Sequence, residues 1–430
     1  MITTKSISIV VPSEPTPNGP LQLSESDQIM PWTHPTFIYI YRSNNNIPLS
    51  FETMNNSLSR ALAHFYPLAG RLKWIEGGRL QVDCNAIGVQ VLEAHSDLKL
   101  DELGDFAPTG TVEDLVPKID YTTPIEEWPL LRVQLTRFVC GGLSVGVAIS
   151  HTLVDGLSTT NFINSWAKLA RGDNLDDHEI PFLDRTVLRS SEPLMLPRFD
   201  HIAYTTKPPL LIGSMDAKEE QKKETSVTLL KLTTEQVEVL KKRANQEMGV
   251  TIRPYTRYEA ISGYIWRCAC KVRAIDSSHD QQTRVRLVVD GRNRLKPPLP
   301  QRYFGNAIFG TVTSTSIERM TDEYIRSAID FITSQKHVGG LRSSFHIQGY
   351  TQGPFLGNPN LSLTSWINLP VYDADFGWGK PVYVGPGSLN MDGKAFIMSS
   401  VAVDGSLIIA LRLQAQYMDS FKKLFYEDIK

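Results

Sequence analysis

Residues 143–172 read LSVGVAISHTLVDGLSTTNFINSWAKLARG. The first eight are small, apolar or β-branched, the composition of a strand covered on both faces. Further on, Phe162, Ile163, Trp166 and Leu169 recur at the spacing of one helix face. Between the two lies HTLVDG (151–156), so the stretch predicts a strand, a turn and a helix in succession. Strand ends in α/β folds present side chains to clefts on rigid support. His151 stands at such an end, with Asp155 and Gly156 in the turn.

Outward from this unit, strand-like and helix-like segments alternate without a visible repeat, which predicts an α/β fold. TFIYIYR (36–42) is rich in β-formers. Residues 54–66 predict an amphipathic helix, with Leu58, Ala61, Leu62 and Phe65 on one stripe and Pro67 as its stop. Thr233 and Gln236 form a capping-box pattern before Val237, Leu240 and Ala244. The texture changes over 186–225, which holds Pro193, Pro197, Pro208, Pro209 and the charge run DAKEEQKKE. That stretch predicts a linker between a first unit, 1–185, and a second, 226–430.

The 430 residues suffice for two ordinary cores, and 41% hydrophobic with 21% charged residues is a globular balance. With 44 basic against 46 acidic residues and no basic run, nucleic acid is not an expected partner. No run of eighteen apolar residues exists, and the apolar patch near the N-terminus is too short for a signal peptide. Cys84, Cys140, Cys268 and Cys270 form no ligand-spaced cluster, and Cys268 and Cys270 would share one face of a strand. These features predict a reduced, cytoplasmic chain with no bound metal and no membrane partner.

An imidazole can take a proton from a hydroxyl or amine as it attacks a carbonyl, so His151 is the candidate general base. A core histidine tied to a backbone carbonyl is the plainer alternative. Asp155 could orient that imidazole, as in a hydrolase triad, or cap the next helix and meet an arginine. Gly142-Leu143-Ser144-Val145-Gly146 matches the G-x-S-x-G pattern, but a serine nucleophile needs a strand–turn–helix elbow. Ser144 lies inside a predicted strand instead, which argues against a serine hydrolase.

His151-Thr-Leu-Val-Asp155-Gly156 resembles the H-x-x-x-D-G motif of the plant BAHD acyl-CoA acyltransferases. Asp375-Phe376-Gly377-Trp378-Gly379 resembles the second signature of that family. FYPLAGRL (65–72), PFLDRTVLR (181–189), VDGRNRL (289–295), YFGNAIF (303–309) and LTSWINLPVYDADFGWGKP (363–381) extend the resemblance along the chain. It implies two chloramphenicol-acetyltransferase-like α/β domains with a channel at their interface, in a monomer that needs no cofactor beyond acyl-CoA as co-substrate. His151 would be the base, with no acyl-enzyme formed. Trp366 would donate to the developing oxyanion, and Thr364 and Tyr39 would touch the acceptor. Tyr255, Thr256, Arg257 and the Gly385-Pro386-Gly387 loop resemble CoA-side segments. Asp155, Gly156, Gly377, Trp378 and Gly379 would be structural, with Phe376 and Trp378 as packing anchors. Asp155 would pair with an arginine, and Arg292 is a possible partner for Asp375. A catalytically silent binding protein is the alternative outside enzymes.

The shikimate and quinate branch of this family holds the acceptor carboxylate with an arginine upstream of the P-N-L-x-x-T-S-W block. Here the matching position is Thr351, no arginine stands between Ser343 and Trp366, and Pro35 and Phe37 replace small hydroxyl residues. Blocks 198–213, 219–227, 256–271, 351–361 and 425–429 resemble spermidine hydroxycinnamoyl transferases. The expected substrates are therefore hydroxycinnamoyl-CoA and a polyamine such as spermidine, with transfer to shikimate, quinate or another alcohol as the alternative. A polyamine is a chain of cations and calls for carboxylates, for which Glu323 and Asp330 are candidates. Its amines, near ~10.4, are neutral in about one molecule in a few thousand at pH 7, so turnover would rise toward alkaline pH.

Overall fold

The computed structural model describes residues 1–42, 50–190, 192–201, 204, 222–246, 254–273, 283–312, 321–339, 341, 357–402 and 404–429. The first half carries strands β1 (Ile2–Val10), β2 (Pro20–Gln22), β3 (Thr36–Tyr41) and β4 (Arg71–Ile75). It continues with β5 (Arg79–Asp83), β6 (Val89–Ser96), β7 (Leu131–Phe138) and β8 (Leu143–Ile149). The second half carries β9 (Thr225–Leu232), β10 (Val285–Asp290), β11 (Ile308–Val312) and β12 (Leu361–Trp366). It ends with β13 (Tyr383–Pro386), β14 (Lys394–Ser399) and β15 (Leu407–Gln414). The helices are α1 (Glu25–Gln28), α2 (Phe51–His64), α3 (Gly156–Ala170), α4 (Thr234–Gln246), α5 (Arg257–Val272), α6 (Asp322–Ser334) and α7 (Ala415–Glu427).

One sheet runs in the order β1-β6-β7-β8-β3-β13, a second in the order β11-β10-β12-β14-β15-β9, and a small third is β2-β5-β4. Both large sheets are mixed, parallel at β6 with β7 and at β10, β12 and β14. Every residue of β8 is buried, which suits its unbroken apolar run. The apolar stripe of α2, Leu58, Ala61 and Leu62, packs in one cluster with Phe162, Ile163 and Trp166 of α3 and Val145 and Val147 of β8. Phe65, expected inside the helix, is its C-cap, because Pro67 follows.

The second sheet divides its residues by parity. Leu361, Leu363, Ala395, Ile397, Ile409 and Leu411 face a core built with Ile261 and Ile265 of α5 and Phe421 and Phe425 of α7. Side chains of opposite parity point the other way. Trp366, Met398 and Ala410 join the core of the first half, while Arg286, Ser362, Thr364 and Lys394 line a cavity. The interface between the halves is thus one face of this sheet.

β13 comes from the second half of the chain but pairs with β3, with Tyr383 opposite Ile40 and Pro386 opposite Phe37. A division at 186–225 therefore describes the chain's course, while the first sheet borrows a strand from beyond it. Within that expected linker Leu188 is buried, as is Arg185 just before it, and all of 205–221 lies outside the described residues. Cys268 and Cys270 sit in α5 and not in a strand. Two residues apart on a helix they point to different sides, and Cys268 is buried while Cys270 is half-buried. No helix among the described residues is long and apolar enough to cross a membrane.

Candidate active site

Where β8 ends, His151 turns into a cavity of about 1410 Å³ at the interface between the halves. Its backbone N–H donates to the Thr33 carbonyl at 2.9 Å, and Nδ1 lies 3.2 Å from the Val154 carbonyl. A carbonyl oxygen only accepts, so Nδ1 carries the proton and Nε2 keeps its lone pair for the cavity. Burial holds the imidazole below its ordinary pKa, opposed by the charge of Asp155 and aided by that of Lys394. The ring is therefore neutral, and available as a base, at pH 7.

Asp155 does not touch that ring. It caps α3 by accepting from Ser158 N at 3.0 Å, and it accepts from Ala307 N at 3.0 Å. Arg292 grips both carboxylate oxygens, at 2.7 and 2.9 Å. Burial would raise its pKa, but the guanidinium prevails and holds the carboxyl below its ordinary value. With these donors in place the carboxylate has no capacity left for an imidazole. The plainer of the two roles considered from sequence is the one the geometry shows.

Two interactions that sequence reasoning missed fix the turn. Asn306 Nδ2 donates to the His151 carbonyl at 2.9 Å and to Asp27 Oδ1 at 2.8 Å. Arg185 pairs with Asp27 and donates to the Leu153 carbonyl at 3.1 Å. All three side chains are buried. Asn306 and Arg185 lie in blocks 303–309 and 181–189, but only folding brings Asn306 to His151, 155 positions away, and Arg185 to Asp27 and Leu153, 158 and 32 positions away.

A second histidine, His34, also lines the cavity. Its Nε2 faces the Pro129 carbonyl at 2.9 Å, and its Nδ1 faces Tyr121 Oη at 3.0 Å. Both nitrogens are spent, and burial lowers its pKa to about 4. It is a wall residue. Nothing in its sequence surroundings had singled it out.

Trp366 ends β12, stacked on Phe37 with ring centroids 4.5 Å apart and an interplanar angle of 4°. A Cβ added at Gly156 would come within 3.9 Å of its Nε1 and 3.1 Å of Leu369 Cδ1. The indole N–H therefore reaches the turn that carries His151, through the gap glycine leaves. Two residues earlier, Thr364 lines the same cavity, and its Oγ1 accepts from Lys394 Nζ at 2.7 Å.

Other expected contacts fall elsewhere. Tyr39 is fully buried and outside the cavity lining. It shares a face with Phe37, but each strand step rises about 3.3 Å and carries it deeper into the core. Thr256 and Arg257 line the cavity, with Thr256 capping α5, whereas Tyr255 is 40% exposed outside it. Gly385 and Pro386 are in β13, and Ser388 and Leu389 just beyond Gly387 line the cavity instead. Arg292 belongs to Asp155, not to Asp375. Asp375 Oδ1 accepts from Gly377 N at 2.8 Å and Gly379 N at 2.9 Å, closing a turn in which both glycines take positive φ, 101° and 89°. That turn seats Phe376 against Trp166 and Trp378 against Tyr41.

The acidic candidates Glu323 and Asp330 do not line the cavity. Glu323 pairs with Arg198 at 2.8 Å on the surface, and Asp330 is buried in α6. Ser144 is buried within β8, so G-x-S-x-G forms no elbow here. Thr351 lies outside the described residues.

The family model described as "Transferase family" matches residues 1–428. The hydroxycinnamoyl-CoA:piscidic acid hydroxycinnamoyltransferase of Actaea racemosa is 45% identical over the whole of both chains. Shikimate O-hydroxycinnamoyltransferase of Nicotiana tabacum is 38% identical over 99% of each chain. Hydroxycinnamoyl-CoA:5-hydroxyanthranilate N-hydroxycinnamoyltransferase of Avena sativa is 37% identical over 99% of each. Among solved structures, vinorine synthase superimposes with a TM-score of 0.68 at 24% identity, covering 97% of this chain and 96% of its own. TRI101 of F. graminearum, complexed with coenzyme A and T-2 mycotoxin, does so with a TM-score of 0.73 at 18% identity, covering 94% and 97%.

Proposed function

The chain belongs to the Transferase family, that of the BAHD acyltransferases, and on that premise we propose that it carries a hydroxycinnamoyl group from its CoA thioester to a carboxylic acid bearing a hydroxyl or amine. The observation that carries this reading is the free Nε2 of His151, in one cavity with the indole N–H of Trp366. His151 takes the proton of the acceptor O–H or N–H as that atom attacks the thioester carbonyl. The indole N–H stabilises the negative oxygen of the tetrahedral intermediate, a donor worth about 3–4 kcal/mol in acyl transfer. When the intermediate collapses the C–S bond breaks, and the imidazolium returns its proton to the departing thiolate. Ester or amide and free CoA are the products, and acyl-CoA is the only co-substrate required.

The acid is inferred from charge. Piscidic acid, shikimate and 5-hydroxyanthranilate, the acceptors in the relatives' names, are all carboxylic acids, although transfer goes to oxygen in one name and nitrogen in another. The cavity wall beside Thr364 is basic, with Lys394 and Arg286 on it. The second reading is the polyamine that several sequence blocks favour. It needs carboxylates in that cavity. Asp155 and Asp290 are held by Arg292, Asp392 lies 3.8 Å from Arg273, and Glu224 is exposed.

The test is thiol release and product mass with p-coumaroyl-CoA and, separately, shikimate, 5-hydroxyanthranilate, piscidic acid and spermidine, with His151→Ala beside the wild type. A coumaroyl conjugate of one of the acids, absent in the variant, is the expected result. A coumaroyl amide of spermidine with no acid conjugate would replace this reading by the second.

A further inference from the structure

We propose that Lys394, backed by Arg286 on a neighbouring strand, is the residue that grips the acceptor's carboxylate and so makes an acid the substrate; this rests on the function proposed above. Lys394 opens β14 on the side facing the cavity, while its neighbour Ala395 packs into the core of the second half. The groups its ammonium touches among the described residues are neutral. Nζ donates to Thr364 Oγ1 at 2.7 Å, lies 3.4 Å from Ser362 Oγ, and sits 4.9 Å from the centre of the Phe396 ring. Among the described residues no carboxylate pairs with it. A half-buried cation whose described partners are hydroxyls and an aromatic face has lost part of its hydration without gaining a counter-ion among the described residues.

The neighbouring strands add to that charge and do not offset it. Arg286 stands opposite Ser362 in the β10–β12 register, and Arg412 follows on β15. Arg412 spends donors on Leu389 O at 2.6 Å and Thr225 Oγ1 at 2.7 Å. Asp392, the nearest acid along the strand, takes the Asn358 N–H at 2.9 Å and lies 3.8 Å from Arg273. The wall therefore has a net positive charge and an incompletely paired ammonium, which is a carboxylate site by its chemistry. Burial pushes the Lys394 pKa down to about 7, with the charge of Arg286 adding to the effect, as expected of a cation awaiting an anion. The position also fits the reaction. Thr364, which Lys394 touches, is two residues from Trp366 on the same strand face, a step of about 7 Å.

The same charge could instead meet a phosphate of CoA, and the experiment separates the two. Wild type, Lys394→Gln and Lys394→Arg are assayed with the best of the three acids and with its methyl ester, each at saturating p-coumaroyl-CoA, and KM for the thioester is measured alongside. Replacing the ammonium should cost the acid about 30-fold in kcat/KM, mostly through KM, as a charged hydrogen bond does. The preference for acid over ester should collapse in Lys394→Gln and return in part in Lys394→Arg. Turnover of the ester shows that the variant is folded. Equal losses for acid and ester, or a rise confined to KM of the thioester, would overturn the assignment while leaving the acyl transfer standing. Wild-type acylation of spermidine and of no acid would overturn both.

Discussion

Arg292 holds Asp155 by both carboxylate oxygens, at 2.7 and 2.9 Å, and both side chains are buried. The pair joins the start of α3 in the first half to the segment after β10 in the second. It therefore sets where His151 stands without touching the reaction. Removing one member leaves the other charge buried and unmatched, at a cost of about 3–5 kcal/mol. Asp155→Asn and Arg292→Ala should each lower the melting temperature, and the double variant should be much less destabilised than the sum. The Asp155 carboxyl is held below its ordinary pKa. Its contribution is thus fully present above the ordinary carboxylate range and lost as pH falls through the depressed value. Thermal melts between pH 7 and pH 3 read this directly, and an additive double variant would refute the pairing.

His151 is depressed by burial, so the proton that silences the base arrives only at acid pH. With the ester acceptor, whose binding involves no ionised carboxylate, kcat should stay level through neutrality and fall below the ordinary imidazole range. His151→Ala should lower kcat by about 10²–10⁴-fold, the span of general-base catalysis. A kcat that falls on the alkaline side with the ester would place the essential proton elsewhere.

Trp366→Phe removes the indole N–H and leaves an aromatic ring to stack on Phe37 and pack against the tilted ring of Phe396. An oxyanion donor acts in the transition state, so kcat should drop by about 10²–10³-fold with KM little changed. The melting temperature is the control. If kcat survives while the melt falls, the tryptophan is packing alone.

The chemistry of the turn was legible because its signals are local. A buried strand, a histidine and a capping aspartate lie within HTLVDG and its flanks, and Asp375 with its glycines closes a turn within five residues. Interactions between distant segments were not. Asn306 reaches the His151 carbonyl across 155 positions, and Arg292 reaches Asp155 across 137. The charge of the cavity was misjudged for the same reason. Glu323 and Asp330 looked available because a helical pattern says which face a residue is on, not what that face meets. Lys394 and Arg286 were invisible, since a single cation in a strand reads as exposed until the sheet register turns it inward. Tyr39 failed by distance along a strand whose face was correct.

The pH dependence of KM is where the two readings of the acceptor diverge most. Among the described residues, the groups set against Lys394 are the hydroxyls of Ser362 and Thr364, the Phe396 ring, Arg286 and His151, with Arg412 on the neighbouring strand and Asp392 already engaged. None supplies a free negative charge, so the ammonium deprotonates as pH rises through about 7 in the free protein. An acid acceptor then loses its counter-ion, and its KM should climb on the alkaline side while that of the methyl ester stays flat. Lys394→Arg, which remains charged to much higher pH, should remove the climb. A polyamine would behave in the opposite sense, since alkali supplies its neutral amine and relieves repulsion from Lys394, so its kcat/KM would rise. Initial rates at varied acceptor concentration from pH 6 to pH 9, with acid, ester and spermidine side by side, show which slope the protein has.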